Sequence, residues 1–157
     1  MVRLADLAQP EREHLIAKNK ELAGFGGRPW ATGPSLGRRR VAIITTSGIH
    51  RVGDRPFADG AAATDYRVIP GSVSAGDLVM SHLSSNFDRT GFQQDINVVF
   101  PIDRLKELAV EGAIGEVADY HYSFMGAAPV RSLEPKARQL AGLLKKDRVD
   151  AVLLTPV

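Results

Sequence analysis

No cysteine occurs anywhere in the 157 residues. Its absence removes disulfides, thiolate metal sites and a cysteine nucleophile from the chain as it stands. Long apolar runs are missing too: none approaches the roughly 18 residues that a membrane span requires. Charge of either sign is not in excess, with 20 Lys and Arg against 18 Asp and Glu, and the longest basic run is Arg38-Arg39-Arg40. Nucleic-acid binding needs a larger, clustered basic face, so that class drops out. The opening residues, Met1-Val2-Arg3-Leu4-Ala5-Asp6, include an acid and lack an apolar signal core, which points to a cytoplasmic protein rather than a secreted one. Histidine is scarce, four in all at 14, 50, 82 and 121, without an HxxxH or HExxH spacing, so no metal site is expected.

What is present is ordinary for a folded domain: 44% hydrophobic and 24% charged residues. Residues 4–23 carry a partial apolar stripe (Leu4, Leu7, Ala8, Leu15, Ile16, Ala17, Leu22) interrupted at Pro10. That pattern predicts a short turn and then a helix from near Glu11. A Gly/Pro-rich stretch follows, so residues 1–40 read as a helical N-terminal arm with its connector, and 41–157 as an α/β domain. Val41–Thr46 is a β-branched run of the kind buried on both faces of a parallel sheet. The loop leaving its carboxyl end, Ser47 to Phe57, occupies the place where open α/β sheets put their ligand sites. Ser47 and Gly48 could offer backbone N–H groups to an anion there, although no GxGxxG or GxxxxGK[ST] fingerprint is present.

Further along, Tyr66–Pro70 predicts a second strand, and Asp77–Met80 carries the chain onward. Apolar spacing from Val98 to Ala109 predicts a helix opening at Pro101 and stopped by Gly112. Val117–Gly126 contains a third strand. Ser132 is placed to cap a final helix with Leu133, Ala137, Leu140, Ala141 and Leu144 on one face. Asp150–Val157 reads as another strand of buried type. The fold class expected is therefore α/β, a mostly parallel sheet of about four to five strands flanked by helices, behind a helical N-terminal arm.

Between the second and third strands, residues 82–97 show neither helical nor strand period. They combine a histidine, hydroxyls, acids, an arginine and amides, and read as an ordered loop tied down by Phe87 and Phe92. Asp95 and Asn97 are suited to brace that loop or cap the helix at Pro101.

Several segments together resemble one family. They are Thr45-Thr46-Ser47-Gly48-Ile49-His50, Gly53-Asp54-Arg55-Pro56-Phe57, Tyr66-Arg67-Val68-Ile69-Pro70, His82-Leu83-Ser84-Ser85-Asn86-Phe87-Asp88-Arg89, Asp95 to Leu105, and His121-Tyr122-Ser123-Phe124-Met125-Gly126. Together they resemble the selenoprotein B family, component B of glycine, sarcosine and betaine reductases together with D-proline reductase. The resemblance implies reductive cleavage of a carbon–nitrogen bond in a small amino acid or amine. It implies a selenocysteine, or a cysteine in its place, just after the final strand, and a thiol reductant. It further implies a partner subunit whose pyruvoyl group holds the substrate amine. No cofactor is expected on this chain itself. Because the sequence ends at Val157, where the family would next show its nucleophile, a chain truncated at its carboxyl end is the expectation.

A chalcogen nucleophile acts as the anion, so donors and proton carriers belong beside it. On that basis His82, with Ser84 and Asp88, is the expected catalytic group, and a structural hydrogen bond is the other role open to His82. Ser47, Gly48, His50, His121 and Ser123 are the expected substrate-binding residues. His121 alternates with Tyr120 and Tyr122, which equally suits a core histidine. The last strand, lacking a successor to cover it, leaves room for a homo-oligomer. A non-catalytic binding or assembly subunit of the same fold is the alternative, and an α/β-hydrolase is disfavoured by the absence of a GxSxG elbow.

Overall fold

A computed structural model describes residues 3–21, 27, 30–57, 60–83 and 89–157. The chain divides into two compact units, Met1–Thr32 and Gly33–Val157. In the first, a 3-10 turn at Leu4–Asp6 precedes helix α1, Gln9–Glu21. Pro10 sits in the first turn of α1, where its missing N–H costs nothing.

Among the described residues, all the strands lie in the second unit. In chain order they are β1 (Arg40–Thr45), β2 (Ile49–Arg51), β3 (Tyr66–Pro70), β4 (Leu78–Met80), β5 (Glu116–Val117), β6 (Tyr120–Phe124) and β7 (Ala151–Thr155). The helices are α2 (Thr90–Gln94), α3 (Ile102–Val110) and α4 (Glu134–Lys146). β1 is the axis of the main sheet: β7 runs parallel along one side from Val41 to Thr45, and β5 and β6 run parallel along the other. β3 closes that side antiparallel to β6, Ile69 opposite His121. The sheet is thus mixed but mostly parallel, and the expected α/β class is what forms.

β5 and β6 are one strand interrupted by a bulge. Val41 and Ile44 of β1 face Val117 and Tyr122, so the partner strand spends two more residues over the same distance. The break leaves Ile43 N–H without its ladder acceptor, and the His121 ring fills the gap, Nδ1 accepting that bond at 2.9 Å. A buried amide is satisfied by a side chain in place of a strand.

Alternation sorts the side chains into two cores. Val41 and Ile43 of β1, with Ile49, Ile69, Val99, Phe100, Ile102, Leu105 and Ile114, pack under α3 and the small β2–β4 ribbon. Tyr122, Phe124 and Leu140, with Ile44, Leu143 and Leu144, pack on the other face under α4. Each fully buried side chain of this size contributes on the order of 2 kcal/mol relative to exposure.

Four expectations are changed. Ile49–Arg51 is not loop: it pairs antiparallel with Leu78–Met80, His50 opposite Val79. Within residues 82–97 a short helix forms at Thr90–Gln94 and a 3-10 turn at Ile96–Val98. Ser132 does not cap α4. Its hydroxyl donates to Pro129 O inside a preceding 3-10 turn, and α4 starts at Glu134-Pro135 with no side-chain cap. β7 reads as a buried strand but leaves Val152, Leu153 and Leu154 exposed, because it lies at the sheet's edge with β1 on one side only. Asn97 does cap α3: Asp103 N donates to Asn97 Oδ1 at 3.0 Å, while Asp95 Oδ1 accepts from Asn97 N.

Candidate functional site at the carboxyl edge of the sheet

The two ends of β1 present different chemistry. At the amino end Arg40, 6% exposed, donates to Asp147 O at 2.7 Å and to Asp147 Oδ1 at 2.6 Å, and pairs with Glu116 and Asp119 at 2.9 Å each. Burial opposes its charge, and the hydrogen bond and charge of Asp147 with those of Glu116 and Asp119 outweigh it, so Arg40 stays ionised. The carboxyl end carries hydroxyls and an imidazole in place of salt bridges.

There Thr45, Thr46 and Ser47 turn out of the strand. The Thr45 hydroxyl bonds to Ser47 Oγ at 2.9 Å, and Ser47 N donates back to Thr45 Oγ1. Gly48 N donates to Phe124 O, and Gly48 O accepts from Ser81 N. Both N–H groups nominated to hold an anion are therefore used inside the fold; Ser47 and Gly48 build the edge by folding it. Gly48 has φ +66, and a β-carbon there would lie 3.1 Å from the backbone of His82. Glycine is what lets β1's exit turn close on the segment after β4. Gly126, φ +80, does the same from β6, packed so that a β-carbon would meet Thr46 Cβ at 2.5 Å.

Thr46 is the meeting point, and sequence reading passed over it as a mere strand end. Val157 N donates to Thr46 Oγ1 at 2.9 Å, Thr46 N donates to Thr155 O, and the His82 imidazole hydrogen-bonds the Thr46 backbone. The only hint in the sequence was a threonine directly before Ser47-Gly48. His82 is 5% exposed. Burial and then the nearby Arg89 cation lower its pKa, against the bond to Thr46, so the ring is neutral near pH 7. Arg89 also donates to His82 O.

Ser123, paired in register with Thr45, is fully buried, and its Oγ has no hydrogen-bond partner among the described residues. Ser123 and Thr155 thus flank Thr45 on its two sides. His50 stands one strand away. Its Nδ1 contacts Arg51 O at 2.9 Å and its Nε2 contacts Ser81 Oγ at 2.7 Å, so both ring nitrogens are engaged. Phe57 meets that ring edge-on, and Arg67 lies over Phe57 while bonding Arg55 O and Pro56 O. His121 faces the same core as Ser123 but is committed at Nδ1 to Ile43. Ser84 and Asp88 lie outside the described residues. The edge therefore gathers Ser47, His82 and Ser123 around Thr46 and Val157, with His50 beside them. Among the described residues no three His, Asp or Glu side chains come together as metal ligands, and no helix is long and apolar enough to cross a membrane.

Comparison with known proteins gives this geometry a family. Similar proteins include D-proline reductase subunit gamma of Acetoanaerobium sticklandii, 38% identical over 73% of this chain and 47% of the relative. Glycine reductase complex component B subunit gamma of Symbiobacterium thermophilum is 33% identical over 76% of this chain and 29% of its own length. Sarcosine reductase complex component B subunit beta of Peptoclostridium acidaminophilum is 35% identical over 76% and 28%. The chain spans less than half the length of the curated relatives it matches, and no solved structure matches it. The profile of the glycine/sarcosine/betaine reductase selenoprotein B family matches residues 32–157, which takes in the whole sheet and both of its ends, and the chain belongs to that family.

Proposed function

We propose that this chain is the α/β portion of an oxidoreductase subunit that reductively cleaves a carbon–nitrogen bond in a small amino acid or amine, using a selenol or thiol within a multi-subunit complex in the cytoplasm. One observation carries the reading. His82 and Val157 both bond to Thr46, so the expected catalytic histidine and the end of β7 meet at the carboxyl edge. The relatives named above are reductase subunits, which supports a role of the same kind.

A selenocysteine or cysteine following Val157 would supply the soft nucleophile, and a dithiol the two electrons and two protons of the cleavage. The residues present suit an anion there. Ser123 offers a buried hydroxyl with no other acceptor among the described residues, and the Arg89 cation lies close enough to His82 to lower its pKa. Their part is to hold negative charge with donors already fixed in place. The neutral His82 can take a proton near pH 7, and the Thr46 backbone fixes its ring. Ser47 and His50, each already bonded, keep the carboxyl edge rigid beside the substrate. A pyruvoyl group on a partner subunit would hold the substrate amine, leaving this chain the carbon side.

The test is reconstitution. The chain is extended past Val157 along its own gene with Sec or Cys as the next residue. Dithiol-dependent carbon–nitrogen cleavage is then measured with the partner subunits present, as amine release from glycine, sarcosine and betaine and as ring opening of proline. Turnover that falls ~100-fold in His82→Gln supports the reading; an inert extended protein, or a variant as active as its parent, overturns it. Exposure of Val152, Leu153 and Leu154 on β7 favours a second role, binding or assembly without chemistry. That role predicts co-purification with a larger partner and no turnover in any extended form.

A further inference from the structure

β3 and β7 are the outer strands of the main sheet, and only β3 is built as an edge. It carries Arg67 within the strand and Pro70 at its end, and Arg67 ties it to the preceding loop through Arg55 O and Pro56 O. A charge and a proline are ordinary means of blunting an exposed strand. β7 has neither between Ala151 and Thr155, and no bulge, since it pairs residue for residue with Val41 to Thr45. Thr46 N donates to Thr155 O, so alternate residues turn toward β1. Val152 and Leu154 then turn their N–H and C=O groups to the open side, where no strand pairs with them among the described residues.

The faces of β7 are bare as well. Leu153, 38% exposed, lies beside Ile43 on the α3 face. Val152 and Leu154, 38% and 66% exposed, lie beside Ala42 and Ile44 on the α4 face. An apolar parallel strand is ordinarily covered on both faces and paired on both sides. By sequence and by geometry β7 is an interior strand whose outer neighbour is missing.

We propose that β7 is covered by the segment of the same chain that follows Val157, folded as a helix over Val152 and Leu154 and then a strand parallel to β7 on its open side. Handedness fixes the face. The chain passes from β6 over β1 to β7 by way of α4, and crossovers between parallel strands are right-handed almost without exception. A further crossover in the same direction lands on the same face, beside α4, where Leu154 is most exposed. The relatives have the length for it, being more than twice as long as the segment they share with this chain. A second copy pairing through β7 would satisfy the edge amides, but it brings another strand bare on both faces and leaves the side chains uncovered. The cover rests on one premise of the proposed function, a chain that continues past Val157, and on none of its chemistry.

Amide hydrogen exchange read by NMR tests it on two forms, the 157-residue chain and the chain extended along its own gene with Cys as the next residue. The Val152 and Leu154 amides should exchange at least ~100-fold more slowly in the extended form. Leu154→Lys should leave the thermal midpoint of the 157-residue chain unchanged and lower that of the extended form by about 5 °C, because only there is the charge buried. Equal exchange in both forms, equal midpoints in both, or a gene that supplies fewer than about a dozen further residues overturns the proposal. So does protection in the 157-residue chain that grows with its concentration, which makes a second copy the occupant. Protected amides without dithiol-dependent turnover keep the cover and sink the reductase reading; turnover with both amides still fast does the reverse.

Discussion

Two ends of one strand, six residues apart, are built on opposite terms. At Arg40 the charged groups are tied together: one guanidinium holds the end of α4 through Asp147, the strand β5 through Glu116 and the bulge through Asp119. Asp147 also accepts from Tyr120 N, and Asp150 Oδ2 accepts from Arg40 N. At Thr46 the groups are small and, Arg89 aside, neutral, and the Ser123 hydroxyl has no partner among the described residues. A network saturated with internal partners has nothing left to offer a ligand and serves stability. An edge of under-used donors is less stable than it could be and is where binding belongs. Parallel sheets place chemistry at their carboxyl ends for a related reason, since loops diverge there and leave a crevice.

The largest effect should come from the saturated end. Arg40→Met leaves Asp147, whose side chain is only 10% exposed, as a buried carboxylate without its counter-ion. Breaking a buried pair from one side costs ~3–5 kcal/mol, and urea denaturation of the variant should show a loss of that order. A loss under about 1 kcal/mol, the range of exposed pairs, would mean that the amino end is no clamp and that the contrast between the two ends is false.

Much of this contrast could not be read from the sequence. The longer elements could be, because each repeats its signal: the β-branched run of β1 and the apolar spacing of α3 and α4. β2 and β4 are three residues each, too short for any period to emerge, and only their pairing defines them. The run Ala151–Thr155 announces an apolar strand but not whether a neighbour covers it. Ser132 looked like a cap because its type suits one, yet a 3-10 turn ahead of α4 claimed its hydroxyl. At the site, His82 and Ser123 stood out by residue type and by position near strand ends. Thr46 did not, because its importance comes from three segments far apart in sequence meeting on it. The bulge at Ala118 and Asp119 is equally silent, since register belongs to the pair of strands and not to either one.

His121 connects the two ends and yields the next effect. Burial lowers its pKa from 6.5 to about 4, with Lys106 and Arg40 adding to the fall against the pull of Asp147. In the unfolded chain the ring takes a proton as pH drops below about 6.5, while the folded protein refuses it until about 4. The unfolded state therefore binds more protons in that window, and stability rises with pH across it. The contribution is fully present above about 6.5 and lost as pH falls toward 4, at a little over 1 kcal/mol per pH unit and roughly 3 kcal/mol in all. Chemical denaturation at a series of pH values measures the slope, and His121→Gln, which removes the titrating group, should flatten it. A parent profile already flat between pH 6.5 and 4 would show a ring charged in the native state, incompatible with Nδ1 accepting from Ile43.

The smallest effect on stability is expected at Ser123, where an effect on turnover is expected all the same. Ser123→Ala removes a buried hydroxyl with no partner among the described residues, so folding loses none of their interactions and is relieved of a desolvated polar atom. Its midpoint in urea should stay within ~0.5 kcal/mol of the parent or rise slightly. If the carboxyl edge is where a chalcogen anion is held, the same substitution in the extended, reconstituted protein should lower dithiol-dependent turnover ~10-fold or more, as loss of one preorganised donor does. Stability and turnover then move independently at Ser123, whereas at Arg40 turnover falls only as far as the folded fraction does. Should Ser123→Ala destabilise the fold and leave turnover intact, the hydroxyl has a structural partner and the two ends differ in degree alone.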